Sequence, residues 1–215
     1  MRKLLTKKEA KEVLEILEKC YPDAQCELNH NSPFELLVAT ILSAQCTDVR
    51  VNIITSEMFK KYNTPMDYLE LGLENIEELI KSCGFYRNKA KSIYMSSKKI
   101  IEEFNGEVPQ TIEELMTLPG VGKKTANVVA STAYGVPAIA VDTHVFRLAN
   151  RIGFVDEKDV ESTEIALEKK IEKSSWTRAH HLLIFHGRRV CKARNPLCGE
   201  CKIRDHCRYY LKEIR

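Results

Sequence analysis

No run of apolar residues in this 215-residue chain is long enough to cross a bilayer. The start, Met1 to Glu9, is basic but lacks the apolar core of a secretory leader. No segment alternates apolar and polar residues as a half-buried strand does; Ala138 to Val141 comes nearest and is short. Low-complexity linkers and array-type repeats are missing as well. Charge of neither sign dominates, because 33 Lys and Arg stand against 30 Asp and Glu. These absences argue against a membrane helix, an exported protein and a sheet protein. They also leave net charge silent about partners. The expectation is a cytoplasmic chain whose thiols stay reduced.

What is present reads as helix after helix. Hydrophobic residues make up 44% and charged residues 29%, an ordinary balance for a globular protein with a real core. Thr6-x-x-Glu9 is a capping box followed by Val13, Leu14, Ile16 and Leu17 at helical spacing. Ser32-Pro33-Phe34-Glu35 is a second start, and the nearly all-apolar run from Leu36 to Leu42 predicts a buried helix. Further helices are predicted over about 48–62, through Ile76 and Ile80 up to Gly84, and over about 88–104. Others are predicted after Thr111, over 123–134, from Asp142 to Ile152, and near 162–172 and 176–191. The fold class is all-α.

Charge and cysteine are unevenly placed. The stretch from Asp67 to Glu78 carries five acids and no base, whereas Arg188, Arg189, Lys192, Arg194, Lys202, Arg204 and Arg208 crowd the C-terminal region. A basic patch suits a polyanion, although a solvated surface has the same composition. Four of the eight cysteines fall in Cys191-x6-Cys198-x2-Cys201-x5-Cys207. Four thiolates complete a tetrahedral shell or hold a 4Fe–4S cluster, so this spacing points to metal rather than disulfides. It departs from the paired Cys-x2-Cys spacing of a common zinc site, yet spacing alone leaves zinc and iron–sulfur both open.

Leu118-Pro119-Gly120-Val121-Gly122 lies between two predicted helices. Proline ends the first, and Gly120 and Gly122 let the backbone turn tightly. The N–H groups and dipole at the head of the next helix form an anion site, which a DNA phosphate fits with no base read. A plain helix–helix turn has the same residues. Lys123 and Lys124 follow at once. The helix start and the neighbouring charge disfavour the Lys124 ammonium, and a neutral amine is a nucleophile that forms Schiff bases. Phosphate contact is the simpler reading of both lysines. Asp142 is placed to cap a helix, and a carboxylate there also suits a cationic sugar whose base departs.

Four motifs occur in order: Leu42-Ser43-Ala44-Gln45-Cys46-Thr47-Asp48, Leu118 to Asn127, Val141-Asp142-Thr143-His144, and the terminal cysteine spacing. Over nearly the whole chain they resemble the endonuclease III family, bifunctional DNA glycosylases and abasic-site lyases of base-excision repair. The resemblance implies a helix-hairpin-helix DNA glycosylase fold of two α-helical domains with a DNA-binding cleft between them. Residues 24–136 would form a six-helix barrel with the hairpin, and residues 1–23 with 137–215 a discontinuous cluster domain. It implies one 4Fe–4S cluster on Cys191, Cys198, Cys201 and Cys207, which organises the loop carrying Lys192 and Arg194 toward DNA. It implies Lys124 as the nucleophile at the sugar, Asp142 as its helper, and cleavage 3′ to the lesion by β-elimination. The partner would be double-stranded DNA with oxidised pyrimidines or abasic sites, bound by a monomer in the cytoplasm, at the nucleoid, with no membrane involved.

The same resemblance gives further DNA-binding residues. Gln45 matches a glutamine that fills the gap left by the flipped base, and Gly120, Gly122 and Lys123 match the phosphate-gripping hairpin. Phe85 falls where an apolar wedge enters the base stack, with core packing as its alternative. His144 touches DNA or packs behind Asp142. His180, His181 and His186 are expected to be structural. Two departures stand out: Cys46 places a thiol beside Gln45, and Phe85 is bulkier than an aliphatic wedge. Adenine- and thymine-mismatch glycosylases share the hairpin, but they are expected to lack a lysine at position 124. A non-enzymatic DNA-binding module would leave Lys124 and Asp142 without a joint purpose.

Overall fold

The computed structural model describes residues 4–214, and among them there is no strand. Eleven α-helices follow one another: α1 (Lys7–Cys20), α2 (Pro33–Ser43), α3 (Asp48–Met58), α4 (Pro65–Leu71), α5 (Leu73–Leu79), α6 (Tyr86–Glu103), α7 (Ile112–Leu115), α8 (Lys123–Tyr134), α9 (Thr143–Ile152), α10 (Val160–Lys170) and α11 (Trp176–Arg189). A 3-10 turn at Lys173–Ser175 and a π-helical turn at Tyr210–Ile214 complete the order. The chain divides into two compact units, Cys26–Val136 and Met1–Gln25 with Pro137–Arg215.

The unit of residues 26–136 is built around α2. Nine consecutive residues, Phe34 to Leu42, are buried, as their apolar run predicted. Helices α3, α6 and α8 pack on it, and Leu36, Leu37, Leu42, Ile93, Ile100 and Leu115 are almost wholly excluded from water. Each such side chain contributes roughly 1.5–3 kcal/mol from burial. Ser32 accepts from the Glu35 N–H, and Pro33 takes the first turn, where its missing N–H costs nothing.

Two boundaries differ from the sequence reading. Helix α3 ends at Met58 with Phe59 as its C-cap, and Lys61 N–H tightens the turn that follows by bonding the Met58 carbonyl three residues back at 3.2 Å. Helix α5 ends at Leu79, because Cys83 N–H closes a tight turn on Ile80 O at 2.8 Å instead of continuing to Gly84.

The other unit packs α1 against α11, and α9 against α10 and α11. Val13, Leu17, Leu148, Phe154, Leu167 and Leu183 form its core. Arg178 of α11 clamps the end of α1. Its guanidinium donates to Glu18 at 2.7 and 2.6 Å, to the carbonyls of Tyr21 and Pro22 at 3.0 and 3.1 Å, and to the Ala24 carbonyl. Five acceptors on one planar fork make this a brace of a kind that lysine cannot form.

Candidate functional site

The turn 118–122 is shaped by α6. Gly120 has φ +78°, in the left-handed region, and a Cβ there would fall 2.3 Å from Ser92 Oγ. The Ser96 hydroxyl donates to Pro119 O at 2.8 Å, and Val121 N–H closes onto Leu118 O at 3.1 Å. Backbone and helix therefore meet with no room for any side chain at position 120. Gly122 is the N-cap of α8 and has no side chain to occupy the first-turn N–H groups, so that end is open to an anion. Lys123 and Lys124 sit exposed in that first turn, while Ala126, Asn127, Val129 and Ala130 anchor α8 in the core. Lys124 is thus a surface group on a rigid element rather than a buried one.

Lys89, near the start of α6, is 5% exposed, and its ammonium donates to Leu42 O at 2.9 Å. That carbonyl belongs to the last turn of α2, where the helix dipole favours a cation. Lys89, Ser92 and Ser96 form one stripe of α6, which holds both the exit of α2 and the hairpin. Gln45, inside the turn that follows α2, and Phe85, just before α6, are non-glycine residues with positive φ, at 54° and 58°. Such a conformation costs roughly 1–3 kcal/mol for an ordinary side chain. Both side chains are exposed, Phe85 at 65%, so core packing does not account for Phe85.

In the other unit, Asp142 caps α9, with Oδ1 accepting from Val145 N–H at 2.8 Å. Two arginines on the same helix brace the cysteine loop. Arg147 donates to Gly187 O at 3.2 Å and Cys191 O at 3.0 Å. Arg151 donates to Lys192 O at 2.8 Å and Ala193 O at 2.9 Å, and its guanidinium points at Cys191 Sγ, 3.8 Å away. Lys192 and Arg194 are exposed on this braced loop. His144 packs against α11, where Gly187 leaves space for its ring: a Cβ there would lie 3.0 Å from His144 Nδ1.

Cys191, Cys198, Cys201 and Cys207 all line one pocket, with Ile152, His186 and Ile203. Burial pushes the Cys198, Cys201 and Cys207 thiols up, Cys201 to about 11, and the neighbouring sulfurs add to the shift. Backbone N–H groups of Ile203, and of Tyr209 and Tyr210, oppose it at Cys201 and Cys207. Three buried thiols that resist ionising alone, beside Cys191 and with amides opposing the shift at two of them, fit a cationic cluster core that would deprotonate them. Four cysteine sulfurs on one pocket are the donor set that a 4Fe–4S cluster uses. His186 is 3% exposed; Nδ1 meets the Tyr21 hydroxyl at 2.9 Å, and Nε2 lies 3.5 Å from Cys201 Sγ.

Sequence reasoning missed Lys89, Ser92, Ser96, Arg147, Arg151 and Gly187. The four-residue spacing of Arg147 and Arg151 put them on one helix face, but nothing in the sequence said that this face meets the cysteine loop.

A lysine-bearing helix head behind a glycine hairpin, with four cysteines on one pocket, defines a class. Residues 38–173 match the model of the HhH-GPD superfamily of base excision DNA repair proteins, and residues 191–207 match that of the iron–sulfur binding domain of endonuclease III. The chain is 52% identical to endonuclease III of Bacillus subtilis (strain 168) over 206 residues, covering 95% of this chain and 94% of the relative. With endonuclease III of Escherichia coli (strain K12) it shares 48% over 201 residues, covering 94% and 95%. A trapped endonuclease III–DNA covalent intermediate superposes with a TM-score of 0.93 at 50% identity, covering 99% of this chain and 100% of that one. The chain belongs to the endonuclease III family.

Proposed function

We propose that this chain is a bifunctional DNA N-glycosylase and abasic-site lyase that removes oxidised pyrimidines from duplex DNA. The observation that carries the reading is the head of α8, where Gly122 leaves the first-turn amides uncapped beside the exposed Lys123 and Lys124. Gly120, Gly122 and Lys123 grip a backbone phosphate without reading a base. The damaged nucleotide is flipped out, Gln45 fills the gap it leaves, and Phe85 wedges into the stack. Strain already stored at Gln45 and Phe85 suits side chains held out for that purpose.

The Lys124 amine attacks the anomeric carbon, and the bond to the base breaks with its electron pair leaving on the base. Asp142 helps take up the proton of the attacking amine or faces the cationic sugar; its cap engages one oxygen and leaves the other for this work. The ring opens to a Schiff base, the adjacent proton becomes acidic, and its loss expels the 3′ phosphate. Cys191, Cys198, Cys201 and Cys207 would hold a 4Fe–4S cluster, whose contribution when bound is to order the loop that presents Lys192 and Arg194 to DNA. His144 supports α9 from behind Asp142. In this reading residues 26–136 are the hairpin-bearing barrel, and the other unit is the cluster domain. The enzyme acts as a monomer, and the four cysteines outside the cluster set, none of them in a disulfide, suit a reducing cytoplasm, at the nucleoid.

The test is borohydride trapping on a duplex with one abasic site. Wild type is expected to give a covalent protein–DNA adduct, and Lys124→Ala to bind the same duplex without one. If neither protein is trapped while both bind, the chain is a monofunctional glycosylase or a binding module.

A further inference from the structure

Two cysteines outside the cluster pocket are neighbours in space. Cys46 follows Gln45, and Cys83 precedes Gly84 and Phe85. Each closes a tight turn with its own amide, Cys46 N–H onto Ser43 O at 3.0 Å and Cys83 N–H onto Ile80 O at 2.8 Å. The two turns touch: the Gln45 carbonyl lies 4.0 Å from the point a Cβ on Gly84 would occupy. Cys46 lies near enough to Cys83 to act directly on its thiol. Cys83 is 2% exposed in the core, and Cys46 packs partly buried against that core. The Lys89 ammonium and the Arg50 guanidinium act on the Cys83 thiol.

We propose that Cys46 and Cys83 are a reversible oxidation site that forms an intramolecular disulfide with peroxide, tying together the two turns that carry Gln45 and Phe85. Cys46 is partly exposed and Cys83 is buried near it, so a Cys46 oxidised from the solvent side has a second thiol to resolve it. The Cys46 sulfur attacks the peroxide O–O bond and becomes a sulfenic acid, releasing one water. The Cys83 sulfur then displaces the hydroxyl from Cys46, releasing a second water and closing the S–S bond. Two thiols lose two electrons and two protons, and one peroxide is reduced to two waters. Burial holds the Cys83 thiol up, with the Cys46 charge adding to the shift and Lys89 and Arg50 opposing it. Such a thiol resolves slowly, which makes the bridge a response to sustained oxidant rather than to traces. Its consequence rests on the function proposed above: tied turns cannot follow a flipped nucleotide, so DNA binding weakens.

The experiment uses the cluster-loaded protein, with cluster absorbance followed throughout. Protein treated with hydrogen peroxide is alkylated, digested without reductant and mapped by mass spectrometry, then tested for binding to an abasic duplex. The expected result is a linked peptide pair carrying Cys46 and Cys83, lighter by two hydrogens than the separate peptides and released by dithiothreitol. Affinity for the duplex falls about tenfold and returns on reduction. Cys46→Ala is expected to bind DNA equally before and after peroxide. Cys46 found unreacted, over-oxidised or joined to another cysteine would overturn the site, whatever the DNA result. A clean Cys46–Cys83 bridge with unchanged affinity would overturn the link to DNA and, with it, the roles proposed for Gln45 and Phe85.

Discussion

At the scale of single residues, space and solvation divide positions that look alike in the sequence. Gly120 and Gly122 are two residues apart, yet a Cβ on Gly120 meets Ser92 Oγ at 2.3 Å, while one on Gly122 meets nothing within 4 Å. Gly120→Ala is therefore expected to lower stability by about 1–3 kcal/mol, read as a fall in the urea midpoint. Gly122→Ala should fold normally and lose affinity for duplex DNA, because its methyl crowds the amides that face the phosphate. A second residue-scale effect concerns His181. Burial lowers its ring from an ordinary 6.5 to about 4, and the nearby Arg178 charge adds to the shift. Between those values the unfolded chain binds the proton and the folded chain does not, so stability falls as pH drops from 6.5 to 4. Urea titrations of wild type and His181→Gln across that window should show the slope flattened in the variant. Phe85 was legible only in part. Its position suggested a wedge or a core residue, and its 65% exposure, with φ of 58°, decides against the core.

At the scale of elements, two helices do the positioning. Helix α6 carries the stripe of Lys89, Ser92 and Ser96 that sets the α2 exit and the hairpin. Helix α9 carries Asp142 at its head, with Arg147 and Arg151 on the loop that follows Cys191. Helix starts were readable because a cap is local: Thr6, Ser32, Thr111 and Asp142 each accept from an amide three residues on. Helix ends after Met58 and Leu79 were not, because the turns that stop them contain neither glycine nor proline at the break. The brace on the cysteine loop gives a test. Arg151→Ala frees the Lys192 and Ala193 carbonyls and should make residues 192–197 more readily cleaved in limited proteolysis. Replacing Lys192 and Arg194 by alanine leaves the brace intact. Each replacement should reduce the slope of log affinity against log salt by about 1 if the side chain neutralises a phosphate.

At the scale of the whole molecule, the chain holds two separate cores, one in each compact unit. Loss of the cluster should act on one of them. Removing it by oxidation and chelation is expected to raise hydrogen exchange across residues 191–207, while amides of α2 and α8 keep their protection. Uniform loss of protection in both units would contradict that separation.

By itself the sequence determined the all-α class, most helix starts, the hairpin and the cysteine set. Each depends on neighbours within a few residues: a cap, a 3.6-residue apolar period or a short ligand spacing. Only the tertiary structure decided which groups meet across 20 or more residues. Lys89 under Leu42, Ser92 against Gly120, Arg151 on the cysteine loop and Cys46 beside Cys83 are contacts of that kind. Their residue types are ordinary. Their partners are chosen by how helices pack, a property of the folded chain that no local pattern encodes.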